Sequence, residues 1–176
     1  MITARDTSVS RTDRLAWLRV VALLALVAIA YQGTGNVPFL LDDRLTITEN
    51  PSIRDLHDLR QVAFPPVNTP TAGRPLANLS FAVSFALSGN QPWGHHLLNV
   101  AVHALAAIVL MGVVRRTLLL PALAPRWGQA ADFVSLAVAA LWAVHPLQTQ
   151  AVTYLAQRTE SLMALCYLLA IYAFIR

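Results

Sequence analysis

Two adjacent carboxylates, Asp42 and Asp43, follow the apolar triplet Phe39-Leu40-Leu41. A carboxylate pair beside an apolar segment suits proton transfer. One group accepts a proton from an attacking hydroxyl while the other orients that hydroxyl or a nearby cation. At a reference pKa of roughly 3.9, an aspartate is ionised at neutral pH and ready to act as a base. An interfacial turn with solvated acids would use the same dipeptide without chemistry, and spacing alone does not choose between the two residues. Arg74, in Gly73-Arg74-Pro75, can pair with a phosphate or an aspartate, or anchor at the headgroups. A second polar stretch, HPLQTQAVTYLAQRTE (145–160), holds His145, Arg158 and Glu160. His145 and Arg158 can neutralise a departing phosphate; the plainer reading is an exit loop with an Arg158–Glu160 pair.

His96, Asn99 and His103 share a face at helical spacing. The two histidines are two turns apart, which is poor for joint metal ligation. Polar contacts between helices are the better reading, and no metal site is expected. Trp93 reads as an interface anchor. The single cysteine, Cys166, lies in an apolar run and forms no CxxC pair.

The elements that must position these groups are read from hydropathy. The chain has 176 residues, 56% hydrophobic and 12% charged. A soluble domain carries roughly 25% charged residues, so the expected solvent is lipid. The expected class is an all-α membrane protein of about four transmembrane helices. They are an apolar run over 15–31, with Arg19 snorkelling, and runs over 97–114, 128–147 and 161–175. Ala28-Ile29-Ala30 also resembles a signal-peptidase site, but a retained first helix is preferred. Residues 32–96 form a long loop with five of the nine acids and seven of the ten prolines. Within it, LANLSFAVSFAL (76–87) suits an interfacial helix. The fourth run is short, and the sequence reads as the front part of a longer protein.

All 13 basic residues are arginines, scattered between apolar runs, which excludes a nucleic-acid footprint. They serve as a topology signal. With four spans, the 1–14 segment, the 115–128 connection and Arg176 all fall on one side, read as cytoplasmic. The 32–96 loop then falls outside, and residues 15–176 form the membrane domain.

Three stretches carry a family resemblance: FLLDDRLTITENPSI (39–53), GRPLANLSFAVSFALSGNQPWGHHLLNVAVH (73–103) and HPLQTQAVTYLAQRTESLMALCYLLAIYAF (145–174). Together they resemble the N-terminal part of polytopic glycosyltransferases of the GT-C fold. The nearest likeness is to bacterial tetratricopeptide-repeat proteins related to the TMTC group of protein O-mannosyltransferases. The resemblance implies a bacterial inner-membrane enzyme and a polyprenyl-phosphate donor, most simply of mannose. It implies inverting transfer to a hydroxyl, such as one on a protein, at the external face, with no cofactor and no required metal. It places the base at Asp42 or Asp43 and leaves Arg74, His145 and Arg158 to face the donor phosphate. It also implies an acid where this chain has Gln150, and further spans with a soluble repeat region that are not in these 176 residues.

Two other classes compete. A non-catalytic membrane scaffold or assembly partner would use the external loop for docking and tolerate loss of both aspartates. A transporter fragment would carry more ionisable residues at mid-membrane, where His103 is the clear instance.

Overall fold

The structure, a computed structural model, describes residues 11–175. Arg5, most of the 1–14 segment and Arg176, all used above to read topology, lie outside the described residues. Among the described residues the chain is helix and turn throughout, without strands. Helix α1 (Arg11–Tyr31) leads into three short turns, Thr34–Asn36, Arg44–Thr48 and Pro51–Ile53. Then come α2 (Leu59–Ala63), α3 (Pro75–Ser88) and the 27-residue α4 (Pro92–Leu118). A short α5 (Ala124–Trp127) precedes α6 (Ala131–Ala143), and α7 (Gln148–Thr153) precedes α8 (Arg158–Phe174).

Local chemistry sets the boundaries. Pro75 and Pro92 open α3 and α4 at the position where a missing N–H costs nothing. Gly89 stops α3 at φ +56°, ψ −127°, a conformation that only glycine adopts readily. Asp58 caps α2, accepting a hydrogen bond from the Gln61 N–H at 3.0 Å. Arg115 and Arg116 sit in the last turn of α4, where cations favour the helix dipole.

α4 is the central helix, in contact with α1, α3, α6 and α8. Its partners present narrow faces. In α6 the buried residues are Ala131, Ser135, Ala139 and Ala143, a small residue at every fourth position. This stripe lets two helices approach closely. In α1 the buried positions Leu23, Val27 and Tyr31 follow the same period and join Ala104 and Ala107 of α4. Gly112 of α4 accommodates Tyr172 of α8, whose ring would lie 2.7 Å from an added Cβ. Large apolar side chains point the other way: Trp17, Leu18, Ile29, Leu105, Phe133, Leu141 and Tyr167 are all more than half exposed.

The four main helices alternate in direction. At one end Arg19 of α1 and Arg115 of α4 both reach Asp132 of α6, and Arg116 donates to the Tyr172 carbonyl of α8. At the other end the Tyr31 hydroxyl donates to the Ala143 carbonyl at 3.2 Å. The segments bearing Arg14, Arg19, Arg115 and Arg116 therefore share one end of the bundle. α1 runs unbroken through Ala30 and packs into the bundle as far as Tyr31.

The count of about four spans is not supported by helix length. Among the described residues two helices, α1 over Arg14–Tyr31 and α4 over Pro92–Leu118, are long and apolar enough to cross a membrane. α6 has 13 residues and α8 has 17. At 1.5 Å per residue these rise about 20 and 26 Å, against roughly 30 Å of hydrocarbon. The apolar run from 128 to 147 is not one helix. It opens with a tight turn over Gly128–Ala130 and closes at Ala143, ahead of Pro146.

The 32–96 stretch is folded rather than a free loop. Ile47, Ile53, Val62, Phe81, Ala82 and Leu155 form a second apolar core. A polar network crosses it. Asn78 donates to the Ser52 hydroxyl (2.9 Å) and the Val62 carbonyl (2.8 Å), and accepts from Asn50 (3.1 Å) and Thr71 (2.9 Å). All four hydrogen-bonding positions of this fully buried amide are thus filled. Asn78→Ala strands its partners at once and is expected to cost at least about 2 kcal/mol. Protease sensitivity of the 37–90 region should rise while α1 and α4 stay protected.

Candidate active site

The two aspartates occupy different environments. Just ahead of them Leu41 takes φ +41° with its side chain exposed. This left-handed conformation is strained for leucine and turns the chain sharply. The turn drives Asp43 inward, where it is 1% exposed, and leaves Asp42 at the surface. The Asp43 carboxylate accepts from the Leu40 N–H at 2.9 Å and from the Ala156 N–H at 2.8 Å. It clips its own loop to the segment entering α8. The Asp42 backbone N–H donates to the Tyr154 hydroxyl at 3.2 Å, so the exposed carboxylate is held beside a phenol.

Burial holds the Asp43 carboxyl above the ordinary carboxylate value, opposed by its two backbone donors and the nearby His96 and reinforced by the Asp42 charge. The Tyr154 phenol is also held above its usual value, by burial first and then by the two neighbouring aspartates, against the donated Asp42 N–H. Asp42 is therefore the solvent-exposed carboxylate of the pair, and Asp43 the one that fixes the loop.

Arg158 lies beneath this loop and is fully buried. Its Nε donates to Asn99 at 2.6 Å, Nη1 to the Ser80 carbonyl (3.0 Å) and Ser84 hydroxyl (2.9 Å), and Nη2 to the His95 carbonyl (2.8 Å). The guanidinium also stacks over Phe81, 4.2 Å from the ring centroid. The cation expected to face a leaving phosphate is spent on four internal acceptors, and it joins α3, α4 and α8.

Arg74 is exposed at the start of α3, 4.0 Å from Glu160 of α8. The pair stands at the rim of a groove of about 350 Å³ whose walls include Leu76, Leu162 and Met163. Tyr154, which meets Asp42, and Glu160, at this rim, are joined by a tight turn and the first turn of α8. His145 is exposed in the turn after α6, its Nδ1 accepting from the Leu147 N–H at 3.3 Å.

The remaining polar residues are structural ties. His96 bonds the Val37 carbonyl at 3.0 Å, and His103 bonds the Ala143 carbonyl at 2.9 Å. Asn99 spans from Arg158 to the Val152 carbonyl at 3.1 Å. The two histidines thus serve different carbonyls, and neither turns toward the other. Tyr154, which sequence reasoning placed in the second polar stretch but gave no role, joins the site through a partner 112 residues away. No local pattern signals such a pairing.

A raised Asp43 pKa means that the folded chain holds this proton more tightly than the unfolded one. The stability it contributes is full below the unfolded value, roughly 3.9, and is lost as pH rises through the higher folded value. Protease resistance of the 37–44 turn should fall with rising pH across that window. Asp43→Asn should flatten this dependence, and Asp42→Asn should weaken it without changing its sign, since burial is the larger cause.

No family model matches the chain, and no solved structure matches it. Among curated proteins it is 38% identical over 154 residues to Protein O-mannosyl-transferase Tmtc1 of Drosophila melanogaster, covering 83% of this chain and 17% of that protein. It is 31% identical over 182 residues to Protein O-mannosyl-transferase TMTC1 of Homo sapiens, covering 98% of this chain and 20% of that protein. Protein O-mannosyl-transferase TMTC3 of Mus musculus is 29% identical over 163 residues, covering 86% of this chain and 16% of that protein. The chain thus spans no more than a fifth of the length of these three relatives. Over that span the chain is a relative of the TMTC group of protein O-mannosyl-transferases.

Proposed function

We propose that this chain is part of a GT-C type glycosyltransferase. It moves a sugar, most simply mannose, from a polyprenyl-phosphate donor to a hydroxyl on a protein at the external membrane face. The observation that carries the reading is the division between the aspartates. One is buried and clamped by backbone donors; the other is exposed and held beside Tyr154. In the proposed reaction the acceptor oxygen attacks the anomeric carbon, and its proton passes to Asp42. The anomeric carbon–oxygen bond to phosphate breaks, and the phosphate leaves with the electron pair. Asp43 positions the base. Arg74 pairs with the donor phosphate, exchanging its distant contact with Glu160 for a charge-assisted bond, and the apolar groove behind it takes the first part of the lipid chain. His145, also exposed, is a further hydrogen-bonding group on offer to the phosphate.

A membrane setting is supported by the two long apolar helices and by large apolar side chains turned outward around the bundle. In this reading α6 and α8 cross alongside α1 and α4 with the bilayer thinned or their flanks snorkelling. The arginine-bearing end faces the cytoplasm. The scaffold alternative draws on one observation, the exposed Leu59, Phe64 and Val67 of the folded loop.

The two readings part at Asp42. In membranes carrying the chain, Asp42→Asn is expected to lower mannose transfer from polyprenyl-phosphate mannose to a peptide by roughly 10²–10⁴. Protease resistance of the loop should be unchanged. Asp43→Ala should lose transfer and protease resistance together. Full transfer by Asp42→Asn would remove the enzyme reading and leave the scaffold.

A further inference from the structure

The end of the bundle away from Asp42 holds a second charged site. Arg115 Nε donates to the Asp132 Oδ1 at 2.6 Å, and an Arg19 nitrogen pairs with the same oxygen. Two guanidiniums and one carboxylate sum to one positive charge. They stand over a groove of about 580 Å³ between α1, α4, α6 and α8, walled by Val20, Met111 and Leu169. Next to it the Arg116 guanidinium stacks on Tyr172, 3.6 Å from the ring centroid. Among the described residues the two terminal nitrogens of Arg115 make no hydrogen bond, and they form the fork that fits a phosphodiester.

We propose that this groove binds one anionic phospholipid, with the phosphodiester on Arg19 and Arg115 and an acyl chain along the groove wall. Charge decides the occupant. A zwitterionic headgroup brings no net charge to a net positive site, whereas an anionic one neutralises it. A packing helix would have to bring a second carboxylate to the same point. Asp132 has two roles here: it holds the two arginines in register, and it weakens the site by cancelling one of their charges. The proposal rests on the membrane reading above but not on catalysis, because the groove lies at the opposite end of the helices from Asp42.

The test uses the chain reconstituted in phosphatidylcholine vesicles with a minor share of phosphatidylglycerol, then extracted in mild detergent. The lipid retained per chain is identified by mass spectrometry. Phosphatidylglycerol should be enriched over its share in the vesicle, and soluble glycerophosphate should not displace it. Arg115→Gln and Arg19→Gln should each cut the enrichment about fivefold, as one surface arginine is worth near an anionic membrane. Arg115→Lys should retain part of it. Asp132→Asn should raise it, a gain that misfolding does not mimic, and helix content is read alongside by circular dichroism. Equal retention of the two lipids, displacement by glycerophosphate, or unchanged enrichment in folded Arg115→Gln would overturn the proposal. Failure of the chain to insert into vesicles at all would instead overturn the membrane reading beneath it.

Discussion

The buried guanidinium of Arg158 is the constraint on which the rest depends. Placing an isolated cation in an apolar interior costs several kcal/mol even after relaxation, so it persists only where its donors are met. Here they are met by groups from two other helices: Ser80 and Ser84 of α3, and His95 and Asn99 of α4. Those acceptors must hold their places or leave the charge uncompensated. Asn99 in turn reaches the Val152 carbonyl, and Ser84 reaches His95 at 2.7 Å. The start of α8 is therefore fixed against α3 and α4 before any apolar contact is counted. That fixes Ala156 and Tyr154, just upstream, in the positions where they meet Asp43 and Asp42.

A division of labour follows among the polar groups of the folded loop. Among those that face inward, the Asn78 amide is filled at all four positions, the Arg158 guanidinium donates through four of its five N–H groups, and the Asp43 carboxylate takes a backbone donor on each oxygen, while the Thr46 hydroxyl and the His96 Nδ1 are buried without a partner. These contacts hold the loop in place. At the surface, Asp42 and Arg74 are open to new partners. An exposed carboxylate is only as well placed as the buried contacts beneath it.

The helices were legible where an apolar run had a chemical stop at each end. The run over 76–87 lies between Pro75 and Gly89 and is helix α3 to within a residue or two. The third run misled, because 128–147 is apolar almost throughout and nothing in hydropathy marks the tight turn at its start. The stripe of Ala131, Ser135, Ala139 and Ala143 was there to be read as a close-packing face, and it would have placed the helix correctly. Among the site residues, sequence pointed to the dipeptide Asp42-Asp43. It could not divide the roles, because burial of Asp43 depends on an N–H that lies 113 positions away. Arg158 was conspicuous for the same reason that it was misleading: a charge beside an apolar run suggests a ligand, and only its four internal acceptors show otherwise.

The shortness of α6 has a structural consequence. Had the apolar run continued as helix to Leu147, the chain would have emerged about 6 Å further along the bundle axis, four residues at 1.5 Å each. Instead α6 ends at Ala143, whose carbonyl receives both the Tyr31 hydroxyl and the His103 ring. Residues 144–157 fold back from that point, and Val152 comes to rest against Asn99, two turns inside the start of α4. This depth puts Tyr154 level with the aspartates, which are themselves tied to the first turns of α4 through Val37 and His96. A longer third helix would match a bilayer better and would lift Tyr154 and Ala156 away from Asp42 and Asp43. The poor fit of α6 to a full span and the good fit of the two loops to each other have the same cause, a helix that stops where two aromatic partners take up its final carbonyl.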